Sequence, residues 1–219
     1  MKAVSGSVLV CTAAWFFSPQ PALAVPQGQI SYTAEVVCAF RAIAAQHPDR
    51  KLRNPDDLAA KLCAGTTQLP RTYASARSYI ISDESWASYF YVNARTHYID
   101  KALQRAAKAG ATQVVVLGAG FDSRAYRFRQ SLPGLRFFEV DLPATIEAKK
   151  TRLAGIFGAV PDYVLFAPID FNNQTLEDVL PALGYDAKQR TFFILEGVLM
   201  YVNEAGNSAT LGFIRKNSA

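Results

Sequence analysis

Residues 112–120 read Thr-Gln-Val-Val-Val-Leu-Gly-Ala-Gly, and no other stretch limits the fold so tightly. A short, continuous, β-branched apolar run cannot face water on either side. It predicts a strand buried on both faces, which in practice means a parallel sheet covered by helices. The glycines that follow permit a sharp turn and close approach of a ligand to the backbone. The pattern then repeats. Residues 122–131 read as a helix closed by Pro133-Gly134, and Arg136 to Val140 as a strand ending in Asp141. Asp141-Leu142-Pro143 opens a helix through Leu153, and Asp162 to Ile169 reads as a strand ending at Asp170. Residues 174–183 read as a short helix, and Thr191 to Leu195 as a strand closing on Glu196-Gly197. Alternation at this spacing predicts an α/β fold with a doubly wound, mostly parallel sheet.

The strand ends carry the chemistry. Gly118 and Gly120 follow the first strand, but Ser123 stands where a dinucleotide fingerprint would place its third glycine. That argues against a pyrophosphate grip and for a smaller adenosyl ligand. Asp141 lies 21 residues beyond Gly120, where an acid can accept both hydroxyls of a ribose. Glu139, two residues earlier on the same strand face, is the alternative ribose ligand. Asp170 and Glu196 end the third and fourth strands. Any one of these acids alone could be a helix cap; four strand ends with a glycine or an acid trace one ligand-binding edge. On the helix preceding the first strand, Arg95 is placed to pair with a carboxylate, and His97 is either a base or a polar packing residue.

The N-terminal half is helical in pattern. Residues 30–46 carry apolar positions at helical spacing, Asn54 to Leu62 reads as a short helix, 65–75 as loop, and Asp83 to Ala109 as a longer helix stopped by Gly110. Residues 1–24 differ: Lys2, an apolar run from Val8 to Phe17, then Ala22-Leu23-Ala24 resemble a secretory leader with its cleavage site. That run is too short for a membrane span. The expected division is a leader at 1–24, a helical cap region at 25–110 and an adenosyl-binding core at 111–219. A leader implies a periplasmic or secreted protein, whereas a metabolite cofactor implies the cytoplasm. Cys11, Cys38 and Cys63 form no CxxC pair and there are only two histidines, which excludes structural zinc and any other evident metal site. The net charge of +5 comes from scattered basic residues, so no nucleic-acid partner is implied.

Six segments, in order and at matching spacing, resemble the leucine carboxyl methyltransferase-like family, in particular its bacterial group of S-adenosylmethionine-dependent O-methyltransferases. They are SYTAEVVCAFRA (31–42), ARTHYIDKAL (94–103), VVVLGAGFDSRAYRF (114–128), FFEVDLPATIEAKK (137–150), PIDF (168–171) and ILEGVLMYV (194–202). The resemblance covers residues 30–219. It implies S-adenosyl-L-methionine as cofactor, with Arg95 on the methionine carboxylate, Gly118 and Gly120 along the amino-acid part, Asp141 on the ribose, Asp170 and Phe171 beside the adenine, and Glu196 near the methionine or the substrate mouth. Arg124 would tie the glycine loop to neighbouring acids. The acceptor implied is a carboxylate or hydroxyl of a small molecule or peptide. A carboxylate needs no base; a hydroxyl would call on His97 or Tyr201, and no catalytic residue is assigned. The chain departs from the resemblance by its leader-like start and by stopping after the fourth strand, so that the expected sheet order 3-2-1-4-5-7-6 is cut there. TFFIL (191–195) would then be an open apolar edge that invites self-association. Two rivals remain: a nicotinamide (NAD) oxidoreductase, and a scaffold that has lost catalysis with its C-terminal part.

Overall fold

The computed structural model describes residues 8–11, 28–63, 73–76 and 85–217. Five strands, β1 (Val8–Cys11), β2 (Gln113–Leu117), β3 (Arg136–Asp141), β4 (Val164–Pro168) and β5 (Thr191–Glu196), form one sheet in the order β1-β5-β2-β3-β4. Every pairing is parallel. Around it lie α1 (Tyr32–Ala45), α2 (Ala59–Leu62), α3 (Ser85–Lys108), α4 (Arg124–Arg127), α5 (Pro143–Phe157), α6 (Leu176–Val179) and α7 (Glu204–Asn217). This is the doubly wound architecture that the strand–helix alternation predicts.

Strand alternation splits the core in two. Val114, Val116, Phe137, Phe192 and Ile194 face one way and pack with Ile99 and Leu103 of α3 and Leu153 of α5. Val115, Leu117, Phe138, Val140, Phe193 and Leu195 face the other and pack with Phe213 and Ile214 of α7. Each large apolar side chain so buried contributes roughly 1.5–3 kcal/mol relative to exposure, which is why β2 and β5 tolerate no polar alternation. The helix ends follow local chemistry. Ser31 caps α1 through the Ala34 N–H at 3.4 Å, Pro143 opens α5, and Thr175 with Asp178 forms a capping box on α6.

Several sequence expectations are corrected. The helix expected over 122–131 is only α4, with Phe128 as its C-cap and turns following. The helix expected over 174–183 is α6 plus a 3-10 turn at Pro181–Leu183. Asn54 to Asp57 is a turn in which the Asp56 carboxylate accepts the Ala59 N–H at 3.0 Å, so α2 starts later. Residues 73–76 form a helical turn that begins within the stretch 65–75 read as loop. Finally, the β5 edge is not open: Val8 to Cys11 pair in register with Phe193 to Glu196. Part of the leader-like run is therefore an edge strand of the sheet, and the Ala22-Leu23-Ala24 cleavage pattern lies outside the described residues. Among the described residues, no helix is long and apolar enough to cross a membrane.

Candidate functional site

A cavity of about 650 Å³ opens between the carboxyl edge of β2–β5 and the facing sides of α1 and α3. Its floor is the glycine turn. Gly118 has φ +62° and Gly120 φ +47°, conformations that side chains resist, and a Cβ on Gly118 would overlap the Val198 side chain. Asp141 closes the turn from β3. Its carboxylate accepts the Gly120 N–H at 2.6 Å and the Leu142 N–H at 2.6 Å. Burial raises its pKa above the ordinary value, opposed by those two N–H groups. After β4, Asp170 accepts the Asn172 N–H at 3.0 Å and the Asn173 amide at 2.6 Å, holding the loop that presents Phe171.

Glu196, at the end of β5, accepts from Arg95 Nε at 2.6 Å and from Arg124 Nη1 at 3.1 Å. Burial works to raise its pKa, but Arg124 and then Arg95 hold it below the usual carboxylate range. The terminal nitrogens of Arg95 make no hydrogen bond among the described residues, and its guanidinium carbon lies 5.2 Å from the centre of the Tyr91 ring. Arg124 also binds Asp122 and, at 2.8 Å, Asp100, which takes Arg127 Nη1 at 2.8 Å as well. Arg124 thus ties the glycine loop to neighbouring acids.

Of the expected site residues, Arg95, Gly118, Gly120, Asp141, Asp170, Phe171 and Glu196 all line this one cavity. Tyr201 lines it too. His97 does not: its Nε2 lies 3.0 Å from the Arg53 carbonyl, so it packs between segments. Glu139, the alternative ribose ligand, is turned under α5, with Oε2 2.6 Å from Lys149 Nζ and 3.3 Å from the Tyr126 hydroxyl. Sequence reasoning passed over Arg41, whose Nη2 donates to the Phe121 carbonyl of the glycine loop at 2.8 Å while its Nε binds Asp56 at 2.8 Å. It also passed over Asp100, Asp122 and Arg127. The available signal was charge placed inside two apolar-patterned helices and inside the glycine motif itself, where a buried charge requires a partner.

Beyond this charged floor the walls change character. Tyr32, Val36, Val37 and Phe40 of α1 and Tyr91 and Val92 of α3 also line the cavity. Val37 precedes Arg41 by four residues, and Tyr91 and Val92 precede Arg95 by four and three, so these share a helix face with the arginines. Each helix thus brings both an arginine and uncharged, mostly apolar side chains to the cavity wall. Among the described residues, no group of three or more His, Cys, Asp or Glu side chains could hold a metal ion.

Comparison with known proteins gives a consistent result. The family model described as leucine carboxyl methyltransferase matches residues 34–215. A Streptomyces coelicolor protein, provisionally named an S-adenosyl-L-methionine-dependent methyltransferase, is 33% identical over 192 residues, covering 85% of this chain and 65% of its own. A similarly named Mycobacterium tuberculosis protein is 38% identical over 124 residues, covering 57% of this chain and 38% of its own. The chain thus spans less than two thirds of the length of these relatives. Among solved structures, the apo form of the S-adenosylmethionine-dependent methyltransferase SibL aligns at a TM-score of 0.38 with 15% identity, over 87% of this chain and 49% of that one, a likeness too slight to bear on function. With the family match extending over most of the chain, and the glycine turn and its acids inside it, the chain belongs to the leucine carboxyl methyltransferase family.

Proposed function

We propose that the protein binds S-adenosyl-L-methionine in this cavity and transfers its methyl group to an oxygen of a small apolar acceptor. The observation that carries the reading is the convergence of the two positive-φ glycines, Asp141 and Arg95 on one cavity. The residues present fit the cofactor. Gly118 and Gly120 leave the floor clear of side chains, and Asp141 offers carboxylate oxygens to a ribose. Arg95 keeps donors for an amino-acid carboxylate, and Phe171 offers an apolar wall to an adenine. When bound, the cofactor supplies a methyl group on a sulfonium, already activated as an electrophile.

The protein's own task is to align and to exclude water. Glu196, held by two arginines, fixes Arg95, while Arg41 and Asp141 hold the glycine turn from opposite sides. The apolar walls favour an acceptor without formal charge away from the reacting oxygen, because an unpaired charge there would be desolvated without compensation. A carboxylate acceptor needs no base. For a hydroxyl acceptor Tyr201 is the available candidate, since it lines the cavity and His97 does not.

Calorimetric titration of the full chain with S-adenosylmethionine and S-adenosylhomocysteine, with NAD in parallel, tests the reading. Micromolar binding of the adenosyl compounds is expected, weakened at least about tenfold by Asp141→Asn, which is ~1.4 kcal/mol. Folded protein that binds neither compound, or that prefers NAD, sinks it.

A further inference from the structure

Cys38 and Cys63 stand 25 residues apart in sequence, yet they meet on one carbonyl where α1 packs on the end of α2: Ala59 O accepts the Cys63 N–H at 2.9 Å and lies 3.5 Å from Cys38 Sγ. Both sulfurs also lie against carbonyls of α2, Cys38 Sγ 3.5 Å from Ala59 O and Cys63 Sγ 4.0 Å from Ala60 O. Cys38 is fully buried, whereas Cys63 is partly exposed. The pair therefore has the asymmetry of a dithiol centre, with one sulfur that an oxidant can reach and one that only its neighbour can reach.

Two arginines frame it. Arg41 follows Cys38 by one turn of α1, and Arg152 Nη1 donates to the carbonyl of Leu62, next to Cys63, at 2.8 Å. The neighbouring Cys38 thiol, with help from Arg41 and Arg152 and against burial, lowers the pKa of Cys63, whereas the Cys63 thiol and burial raise that of Cys38. These arginines are also the two that grip Phe121 of the glycine turn. Arg41 takes its carbonyl at 2.8 Å, and the Arg152 guanidinium lies 4.0 Å from its ring centre.

We infer that Cys38 and Cys63 form a redox-active dithiol that closes to a disulfide under oxidising conditions, and that Arg41 and Arg152 carry its state to the glycine turn. The Cys63 thiolate attacks one sulfur of a low-molecular-weight disulfide, such as oxidised glutathione, forming a mixed disulfide and releasing one thiolate. That thiolate takes the Cys38 proton. The Cys38 sulfur then attacks the Cys63 sulfur, closes the protein disulfide and expels the second thiolate, which takes up the proton that Cys63 had lost. Two protein thiols are oxidised and one disulfide is reduced to two thiols. The closed form removes negative charge from beside both arginines and ties α1 to α2, so the hold on Phe121 changes.

The test equilibrates the full chain in reduced and oxidised glutathione buffers and maps cross-links by mass spectrometry of unreduced peptides. A Cys38–Cys63 cross-link is expected, and Cys38→Ser should leave Cys63 carrying one glutathione. At pH 7 the reduced protein should alkylate at Cys63 about tenfold faster than an unstructured peptide of the same local sequence. Hydrogen exchange over residues 118–123, read without any ligand, should differ between the two buffers in the wild type and not in Cys63→Ser. Absence of the cross-link, or one that joins Cys11 instead, overturns the pairing. A cross-link with unchanged exchange at 118–123 overturns the coupling. None of these readouts depends on cofactor binding, so the dithiol and the methyltransferase reading fail separately.

Discussion

Glu139 and Asp141 stand two residues apart on one face of β3, yet they belong to charge systems built on opposite terms. Asp141 opens onto the cavity, near a network in which Arg95, Arg124 and Arg127 share Asp100, Asp122 and Glu196. Glu139 is shut under α5 with a single cation, Lys149, and its Oε1 finds no hydrogen-bond partner among the described residues. In the network, cations outweigh burial at Asp122 and Glu196: desolvation is the largest single influence on Asp122, yet Arg124, Lys149 and Arg41 together hold it down to about 2. In the isolated pair burial wins, and Glu139 is pushed up to about 7 despite Lys149. A buried carboxylate stays ionised in this protein where arginines surround it, and approaches neutrality where one lysine serves it alone.

The sharpest way to break that contrast is to remove the hub. Arg124→Met leaves Asp100, Asp122 and Glu196 short of a buried partner and should cost about 3–5 kcal/mol in urea unfolding. A loss below about 1 kcal/mol would mean that the network is not mutually supporting. The next effect is one of pH. Glu139 has a folded pKa above its unfolded value, so its stabilisation is complete below the ordinary carboxylate pKa and is lost as pH rises through about 7. Asp122 runs the other way: its contribution is present above the ordinary value and is lost as pH falls through about 2. Glu139→Gln should therefore flatten the fall in stability between pH 5 and 8 by at most ~3 kcal/mol. Identical pH slopes for the variant and the wild type would show that Glu139 is ionised throughout. A smaller effect sharpens the comparison at the site. Glu139→Gln should leave S-adenosylhomocysteine affinity within about twofold, well under 1 kcal/mol, and a tenfold loss would move the ribose role back to Glu139. The smallest effect belongs to His97→Ala, expected to change stability by about 0.5 kcal/mol or less, with ligand affinity unaltered.

Much of this was legible in the sequence because period and punctuation fix it. The run Val114 to Leu117 has to be a doubly covered strand, and glycine at 118 and 120 is what its turn requires. The acids at strand ends were readable for the same reason, since their positions follow from strand length alone. Glu139 was ambiguous because strand alternation gives it and Asp141 one face; what separates them is where α5 lands, a tertiary fact. Arg41 and the Cys38–Cys63 pair escaped because their partners lie far along the chain. No local pattern announces a contact between residues 41 and 121. The strand at Val8 to Cys11 was not legible because its partner, β5, lies more than 180 residues further along the chain.

That pairing also sets an order of events. β1 and β5 are the first and last described strands, so the sheet closes through the contact with the longest reach along the chain. Bringing such distant segments together is entropically slow, and nothing local rewards the attempt. β2, β3 and β4 can assemble while Val8 to Cys11 still has no partner strand, because all three precede β5 in the chain. For that interval the Val8 to Cys11 segment is open to whatever else recognises an extended hydrophobic chain, and its fate is a race between that capture and the arrival of residues 191–196.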